Sequence, residues 1–167
     1  MTKRSAGILM YKRTGKSLLL LLVHPGGPFW AKKDLGSWSI PKGEYSEDED
    51  PFSVAKREFG EELGTLPTGE FWELGQLVQP SKKVVTAWAT EGDFDVSTLK
   101  SNLFELEWPP KSGQRKLFPE VDRAEWFVPH DARRKILPGQ ADFIDRLLAR
   151  LGYVEQKQAT QQLSLFG

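Results

Sequence analysis

Three glutamates stand close together in a short segment that has the pattern of a helix. Glu58, Glu61 and Glu62 are three and four residues apart, so at about 100° per residue their side chains share one arc of roughly 100°. Like charges at this spacing destabilise a helix unless a positive charge lies among them. Arg57 can neutralise one carboxylate, and a divalent cation would neutralise the others.

Magnesium is the cation that best suits a site made of carboxylates. The chain has no cysteine and only two histidines, which excludes zinc–thiolate and multi-histidine sites, disulfides and cysteine nucleophiles. Carboxylate oxygens favour hard ions such as Mg²⁺, with Mn²⁺ as a substitute. Such an ion can activate water and neutralise a leaving phosphate. For the helix alone, the alternative is an acidic face exposed to water.

The carboxylate helix is predicted to span residues 51–63. Asp50 is a good N-cap, Pro51 suits the first helical position, and Gly64 suits the C-terminal end. The apolar side chains occupy a neighbouring arc that would face a core: Phe52, Ala55, Phe59 and Leu63. The helix therefore has an apolar face for packing and an acidic face for chemistry.

Strand and helix patterns on both sides of this helix predict a layered domain. Strands are predicted at residues 6–11, 17–23, 38–40, 71–78, 83–90, 103–108 and 124–128. Helices are predicted at residues 131–136 and 140–151, and residues 44–50 are predicted to form an acidic loop. This order indicates a mixed sheet flanked by helices, in an α/β or α+β fold.

The length of 167 residues fits one domain. We expect that domain to cover residues 1–153 and residues 154–167 to form a flexible, glutamine-rich tail. Twenty-three basic side chains balance 23 acidic ones, which argues against an extended nucleic-acid surface. The longest apolar run, residues 18–23, is too short to span a membrane. The chain leads directly into a strand pattern, so we expect a cytoplasmic protein.

The segment from Gly43 to Thr65 resembles the signature of the Nudix hydrolases, G-x5-E-x7-R-E-U-x-E-E-x-G-U, where U is a bulky aliphatic residue. Phe59 fills the first U position loosely, and Thr65 departs from the second. Seven positions match the signature: Gly43, Glu49, Arg57, Glu58, Glu61, Glu62 and Gly64.

The resemblance implies an α/β/α sandwich with a catalytic loop–helix–loop. It also implies that a magnesium-bound water attacks phosphorus and splits a nucleoside diphosphate from a linked group X. Carried over residue by residue, it makes Glu58 and Glu62 the principal metal ligands. Glu61 becomes a further ligand or a nearby acid, and the Gly43 carbonyl a further ligand. Arg57 would orient the glutamates, with Glu49 as its salt-bridge partner.

Residues outside the signature suggest how substrate is held. Residues 38–44 resemble the W-x-x-P-K-G approach of diadenosine tetraphosphate hydrolases and related bacterial enzymes, which implies that Lys42 contacts a phosphate. Lys82 and Lys83 stand where that subgroup often has a phosphate-binding lysine, although lysines at a strand edge also deter aggregation. Trp30 and Trp88 are candidates to stack on a base, with a buried core role as the alternative.

Residues 118–127 resemble the late segment in which the family places an acidic residue ahead of an aromatic strand. Glu120 is the candidate for an extra metal ligand or general base, and Asp122 is a weaker one. The alternative for Glu120 is a loop carboxylate in water. His24 and His130 are expected to be structural or surface residues.

The C-terminal peptide Gln162-Leu163-Ser164-Leu165-Phe166 resembles the pentapeptide Q-L-[SD]-L-F, by which bacterial proteins dock on the replicative sliding clamp. Short apolar motifs on flexible tails are common docking elements. The alternative is that Leu163, Leu165 and Phe166 pack back onto the chain's own surface.

Three functions remain open at this point. The first is a Nudix pyrophosphohydrolase acting on dinucleoside polyphosphates or (deoxy)nucleoside triphosphates. The second is a Nudix module that binds a nucleotide or a protein without catalysis, although such modules usually lose signature carboxylates that this chain keeps. The third is a pyrophosphohydrolase of RNA 5′ ends.

Overall fold

Eight strands and three α-helices follow one another along residues 2–155, the part of the chain that this computed structural model describes. The strands are β1 (Arg4–Thr14), β2 (Ser17–Pro25), β3 (Lys42–Tyr45), β4 (Phe71–Val78), β5 (Val84–Glu91), β6 (Leu103–Glu107), β7 (Arg115–Pro119) and β8 (Val121–Phe127). The helices are α1 (Pro51–Leu63), α2 (Pro129–Lys135) and α3 (Ala141–Leu151). The predicted bounds of α1 and β4 agree with the structure at both ends.

Six strands form one mixed sheet in the order β4, β5, β1, β2 and β8, with β3 beside β1. The long strand β1 runs parallel to β5 and antiparallel to its other neighbours. Strand β2 pairs with the end of β1, from Tyr11 to Thr14. Strand β3 pairs with the beginning, where Ala6 lies opposite Gly43. The loop that leads into α1 therefore starts from the middle of the sheet.

Alternating side chains of the sheet build one core on each face. On β1, Ala6, Ile8 and Met10 belong to the core beneath α1. Leu9 and Tyr11 belong to the core beneath α2 and α3. This is the period of two that a strand buried on both faces must have. The fold is an α/β/α sandwich, as the resemblance implied.

Two strands were not predicted from the sequence. Residues 44 and 45 belong to β3 and are not part of the acidic loop, because their backbone pairs with Arg4 and Ser5 of β1. Strand β7 begins with Arg115 and Lys116 and forms a two-stranded sheet with β6. Neither segment shows the alternation of apolar and polar residues that indicates a strand, so the partner strand determines their conformation more than their own side chains do.

Three further expectations concern the docking peptide, a membrane span and residues 38–40. The docking peptide at residues 162–166 lies beyond the described residues. Within residues 2–155, no helix has both the length and the apolar character to cross a membrane. The prediction of a short strand at residues 38–40 is wrong: Trp38 and Ser39 make only isolated bridges, to Ile136 and Val23.

Candidate active site

Helix α1 begins and ends at the capping residues that the sequence predicts, Asp50 and Gly64. The Asp50 carboxylate accepts the Ser53 amide hydrogen at 3.0 Å. At the other end, Gly64 has a left-handed φ of 90° and its N–H donates to the Gly60 carbonyl at 2.8 Å, a geometry that favours glycine. The buried face packs on the sheet through Val54, Ala55, Phe59 and Leu63. The three signature glutamates are left on the other side of the helix.

Strand β3, which precedes the loop into α1, is joined to the helix by two close contacts. The Lys42 amide donates a hydrogen bond to Glu62 Oε2 at 3.0 Å. A Cβ atom on Gly43 would stand 2.0 Å from Cδ of Glu58, so only glycine allows the Glu58 carboxylate to approach the β3 backbone. These contacts place Glu58 and Glu62 against β3, the strand to which Lys42 and Gly43 belong.

Arg57 lies among the carboxylates but binds most closely to Glu49. Its Nη1 is 2.9 Å from Glu49 Oε2, whereas Nη2 is 3.7 Å from Glu58 Oε1 and Nε is 3.9 Å from Glu61 Oε1. Glu49 also accepts a hydrogen bond from the Ser46 amide. Arg57 therefore links the loop to the helix and neutralises Glu58 and Glu61 only in part.

Burial and mutual repulsion disfavour the ionised glutamates. Burial raises the pKa of Glu62 to about 8; Glu58 and Glu120 add to this rise, and Lys42 opposes it. The pKa of Glu58 is raised by burial and then by Glu61, and the pKa of Glu120 is raised by the same two causes. The site thus carries more negative charge than its own cations balance.

The donor set suits a hard divalent cation, because it consists of carboxylate oxygens that lack a sufficient counter-charge. Glu58, Glu62 and the Gly43 carbonyl would hold such an ion, with Glu61 beside them. In residues 2–155, no three His, Cys, Asp or Glu side chains are already grouped around a metal position. The observed contacts explain this: Glu62 bonds the Lys42 amide and Glu61 faces Arg57.

Glu120 comes to the same site from the far end of the chain. It lies between β7 and β8, and its N–H donates to the Asn102 carbonyl at 2.9 Å. The Asn102 amide in turn donates to the Glu61 carbonyl at 2.8 Å. Asn102 therefore connects the two acidic segments. It was not anticipated, since a lone asparagine between two strand patterns carries no signal of its own.

Asp122, the weaker candidate, has a different partner. Its Oδ1 lies 2.7 Å from Nδ1 of His24, a side chain with no exposed surface. The structure thus assigns His24 to the interior, as expected.

The three lysines predicted to bind phosphate, Lys42, Lys82 and Lys83, lie near one another beside β3. Lys83 Nζ is 3.1 Å from Glu44 Oε1. The pKa of Lys42 is lowered, first by burial and then by the charge of Lys83. Lys82 has a left-handed φ of 68°. A cavity of about 700 Å³ is lined by Thr2, Lys3, Glu44, Ser81, Lys82 and Lys83.

The two candidate stacking residues have different surroundings. Trp88 is half-buried against the core beneath α1, with its ring 5.2 Å from that of Phe52, which favours the packing role. Trp30 lies in the loop after β2, where Lys33 Nζ stands 5.0 Å from the ring centroid. A cavity of about 690 Å³ runs beside α1, between Arg57 and Leu66.

Comparisons with known proteins agree with this architecture. The family model of the NUDIX domain matches residues 1–147. The chain is similar to the NUDIX domain of Shewanella oneidensis NrtR, solved with ADP ribose, at 16% identity and a TM-score of 0.63, covering 90% of this chain and 89% of that one. It is also similar to a C. elegans Ap4A hydrolase, at 20% identity and a TM-score of 0.61, covering 89% and 98%.

A third similar structure is the C-terminal domain of mouse MUTYH in complex with human PCNA. Its identity is 15% and its TM-score 0.58, and the match covers 94% of both chains. No curated protein sequence matches the chain. At these identities the solved structures support the fold, and the family model supports membership of the family.

Proposed function

The chain belongs to the NUDIX domain family, and we propose that it hydrolyses a diphosphate linkage in a dinucleoside polyphosphate or a (deoxy)nucleoside triphosphate. The observation that carries this proposal is the gathering of Glu58, Glu61 and Glu62 on one face of α1 with Glu120 beside them. The raised pKa values of Glu58, Glu62 and Glu120, and the partial neutralisation by Arg57, indicate a crowded acidic site whose charge a divalent ion would balance.

Hydrolysis of a phosphoanhydride needs one bond formed and one bond broken. The oxygen of a water molecule bonds to phosphorus, the bridging P–O bond breaks, and its electron pair leaves with the departing phosphate. The water also loses a proton. Glu120 is the proposed acceptor, because burial and Glu61 raise its pKa and make it a stronger base than an ordinary carboxylate.

The remaining residues of the site hold groups in place. Magnesium, for which manganese is the expected substitute, supplies positive charge to phosphate oxygens when bound. Glu49 forms a salt bridge with Arg57, and the Lys42 amide donates a hydrogen bond to Glu62. Lys42, Lys82 and Lys83 supply positive charge beside β3, and they are the residues proposed to contact the phosphates of the substrate.

The experiment that tests this function is a substrate panel with magnesium, its products resolved by chromatography. Glu58→Gln and Glu62→Gln should each lower turnover by at least about 100-fold while the fold, followed by circular dichroism, is retained. Glu47→Gln, which removes an exposed carboxylate of the same loop, is the matched control. EDTA should abolish activity and added magnesium should restore it. Unchanged activity in Glu62→Gln would refute the site.

The same panel separates the alternatives. Binding of nucleotides in calorimetry, without turnover under any divalent ion, would favour a binding module. Preferential release of diphosphate from RNA with a 5′ triphosphate would favour the RNA-end function.

We further propose that the protein works in the cytoplasm and docks on the sliding clamp through Gln162, Leu163, Leu165 and Phe166. The support is the peptide sequence itself, together with a fold neighbour that was solved in complex with human PCNA. Clamp binding by the full chain should be lost in a chain that ends at residue 161 and weakened by Phe166→Ala. Equal affinity of all three forms would contradict the docking proposal.

A further inference from the structure

Strand β8 contains one residue more than its partner β2. Ala124 pairs with Val23 and Arg123 pairs with His24, but the next pair joins Val121 to Pro25. Asp122 is therefore the extra residue of a β-bulge. Bulges bend a strand and redirect its side chains, and they are frequent next to active sites.

The bulge changes which face of the sheet the start of β8 uses. Val121 and Ala124 both lie in the core beneath α1, although they are three residues apart. Strict alternation would place residues three apart on opposite faces. The extra residue thus brings Val121 onto the α1 side of the sheet, directly after Glu120, the single residue between β7 and β8.

The ring of His24 makes a hydrogen bond to Asp122, the extra residue of the bulge. Its Nε2 lies 2.6 Å from the Lys33 carbonyl oxygen, and its Nδ1 lies 2.7 Å from Asp122 Oδ1. A carbonyl oxygen can only accept, so Nε2 carries a hydrogen. Both nitrogens are used in these bonds and the side chain has no exposed surface. His24 is therefore suited to fixing the positions of its neighbours rather than to reacting with a substrate.

Backbone hydrogen bonds join Glu120 to the segment that follows His24 and to Asn102. Gly26, two residues after His24, donates its N–H to the Glu120 carbonyl at 2.9 Å. A Cβ on Gly26 would stand 1.9 Å from the Pro119 carbonyl oxygen, so the two segments meet without room for a side chain. On the other side, the Glu120 N–H donates to Asn102.

We propose that the His24–Asp122 pair is a positioning device, which holds the bulge of β8 so that the Glu120 carboxylate faces Glu61. This inference rests on the proposed function, in which Glu120 accepts the proton of the attacking water. Asp122 and His24 act through Glu120 and are positioning residues. Loss of the pair should slow the chemical step and leave substrate binding nearly unchanged.

The test compares two replacements of Asp122. Asp122→Leu removes the hydrogen-bond partner of His24 Nδ1, whereas Asp122→Asn keeps a side chain that can pair with Nδ1 through its oxygen or its NH₂ group. We expect Asp122→Leu to lower kcat by about 10-fold with KM changed by less than about 2-fold. Asp122→Asn should keep kcat within about 3-fold of the wild type. Glu125→Leu, at an exposed carboxylate of the same strand, is the matched control and should keep wild-type kinetics.

A double variant shows whether Asp122 acts through Glu120. Once Glu120→Gln has removed the base, adding Asp122→Leu should lower kcat by less than about 2-fold more, because coupled residues are not additive. A full additional loss of about 10-fold would overturn the proposal. So would unchanged activity in Asp122→Leu or in Glu120→Gln.

Hydrogen exchange gives a readout that does not depend on activity. The Gly26 amide should be protected in the wild type and in Asp122→Asn, and should exchange faster in Asp122→Leu, because its acceptor is the Glu120 carbonyl. Equal protection in all three proteins would contradict the positioning role. A wild type that turns over no substrate of the panel would instead refute the proposed function, and the Gly26 amide would still report on the bulge.

Discussion

Replacing Glu62 by glutamine is expected to stabilise the metal-free protein at alkaline pH, even though it should abolish turnover. Burial raises the pKa of Glu62 from an ordinary value of 4.5 to about 8. Ionisation of this carboxyl therefore requires more free energy in the folded protein than in the unfolded chain. Glutamine is neutral at every pH and can still accept the Lys42 amide hydrogen.

The sign and size of the effect follow from linkage. Below pH 4.5 the carboxyl is protonated in both states and costs nothing. The penalty on the folded state grows as pH rises from 4.5 to about 8 and is then constant. About 1.4 kcal/mol per pKa unit sets a ceiling of about 5 kcal/mol. Because the side chain is only partly enclosed, solvent screening reduces the expected value to about 1–2 kcal/mol.

The assay is urea unfolding in EDTA at pH 5 and at pH 8.5, for the wild type and for Glu62→Gln. The variant should exceed the wild type in free energy of unfolding by about 1–2 kcal/mol at pH 8.5 and by only a small amount at pH 5. Glu47→Gln is the control and should show no such pH dependence. An equal difference at both pH values would refute the reasoning. Magnesium should then raise the stability of the wild type more than that of the variant.

Three further predictions concern residues around the same site. Gly43→Ala places a Cβ 2.0 Å from Cδ of Glu58 and should lower the free energy of unfolding by about 1–3 kcal/mol, measured in urea. Arg57→Lys keeps the charge but loses the planar guanidinium, and kcat should fall by about 10-fold in steady-state assays; unchanged kcat would mean that charge alone suffices. Lys83→Ala removes a positive neighbour that lowers the pKa of Lys42, so an NMR titration should find the Lys42 pKa higher than in the wild type.

The parts of the fold that the sequence predicts well are those governed by neighbours along the chain. Helix α1 has its cap at Asp50, its proline at Pro51 and its terminal glycine at Gly64, and each acts within one turn. Strand β4 is bounded by polar and glycine-containing segments that are equally local. Strands β3 and β7 could not be predicted in this way, because their residues show no strand alternation and become strands through pairing with β1 and β6.

The candidate site likewise contains residues that local sequence predicts and residues that it does not. The spacing of Glu58, Glu61 and Glu62 places them on one helical face whatever the rest of the chain does, since helical periodicity depends only on sequence separation. The family signature adds Gly43, in the strand before the helix, and Glu49, in the loop between them. The sequence by itself therefore determined the acidic cluster, the chemistry it suits and the family to which the chain belongs.

Tertiary structure alone decided which distant residues meet that cluster. Glu120 is joined to Glu61 through the backbone of Asn102, and the next residue, Val121, is brought to the α1 face by a bulge at Asp122, which His24 contacts from another strand. The physical reason is the period of two along a strand: one extra residue exchanges the two faces of the sheet. Such an insertion is defined only by comparison with the partner strand, and that partner is known only once the sheet has formed.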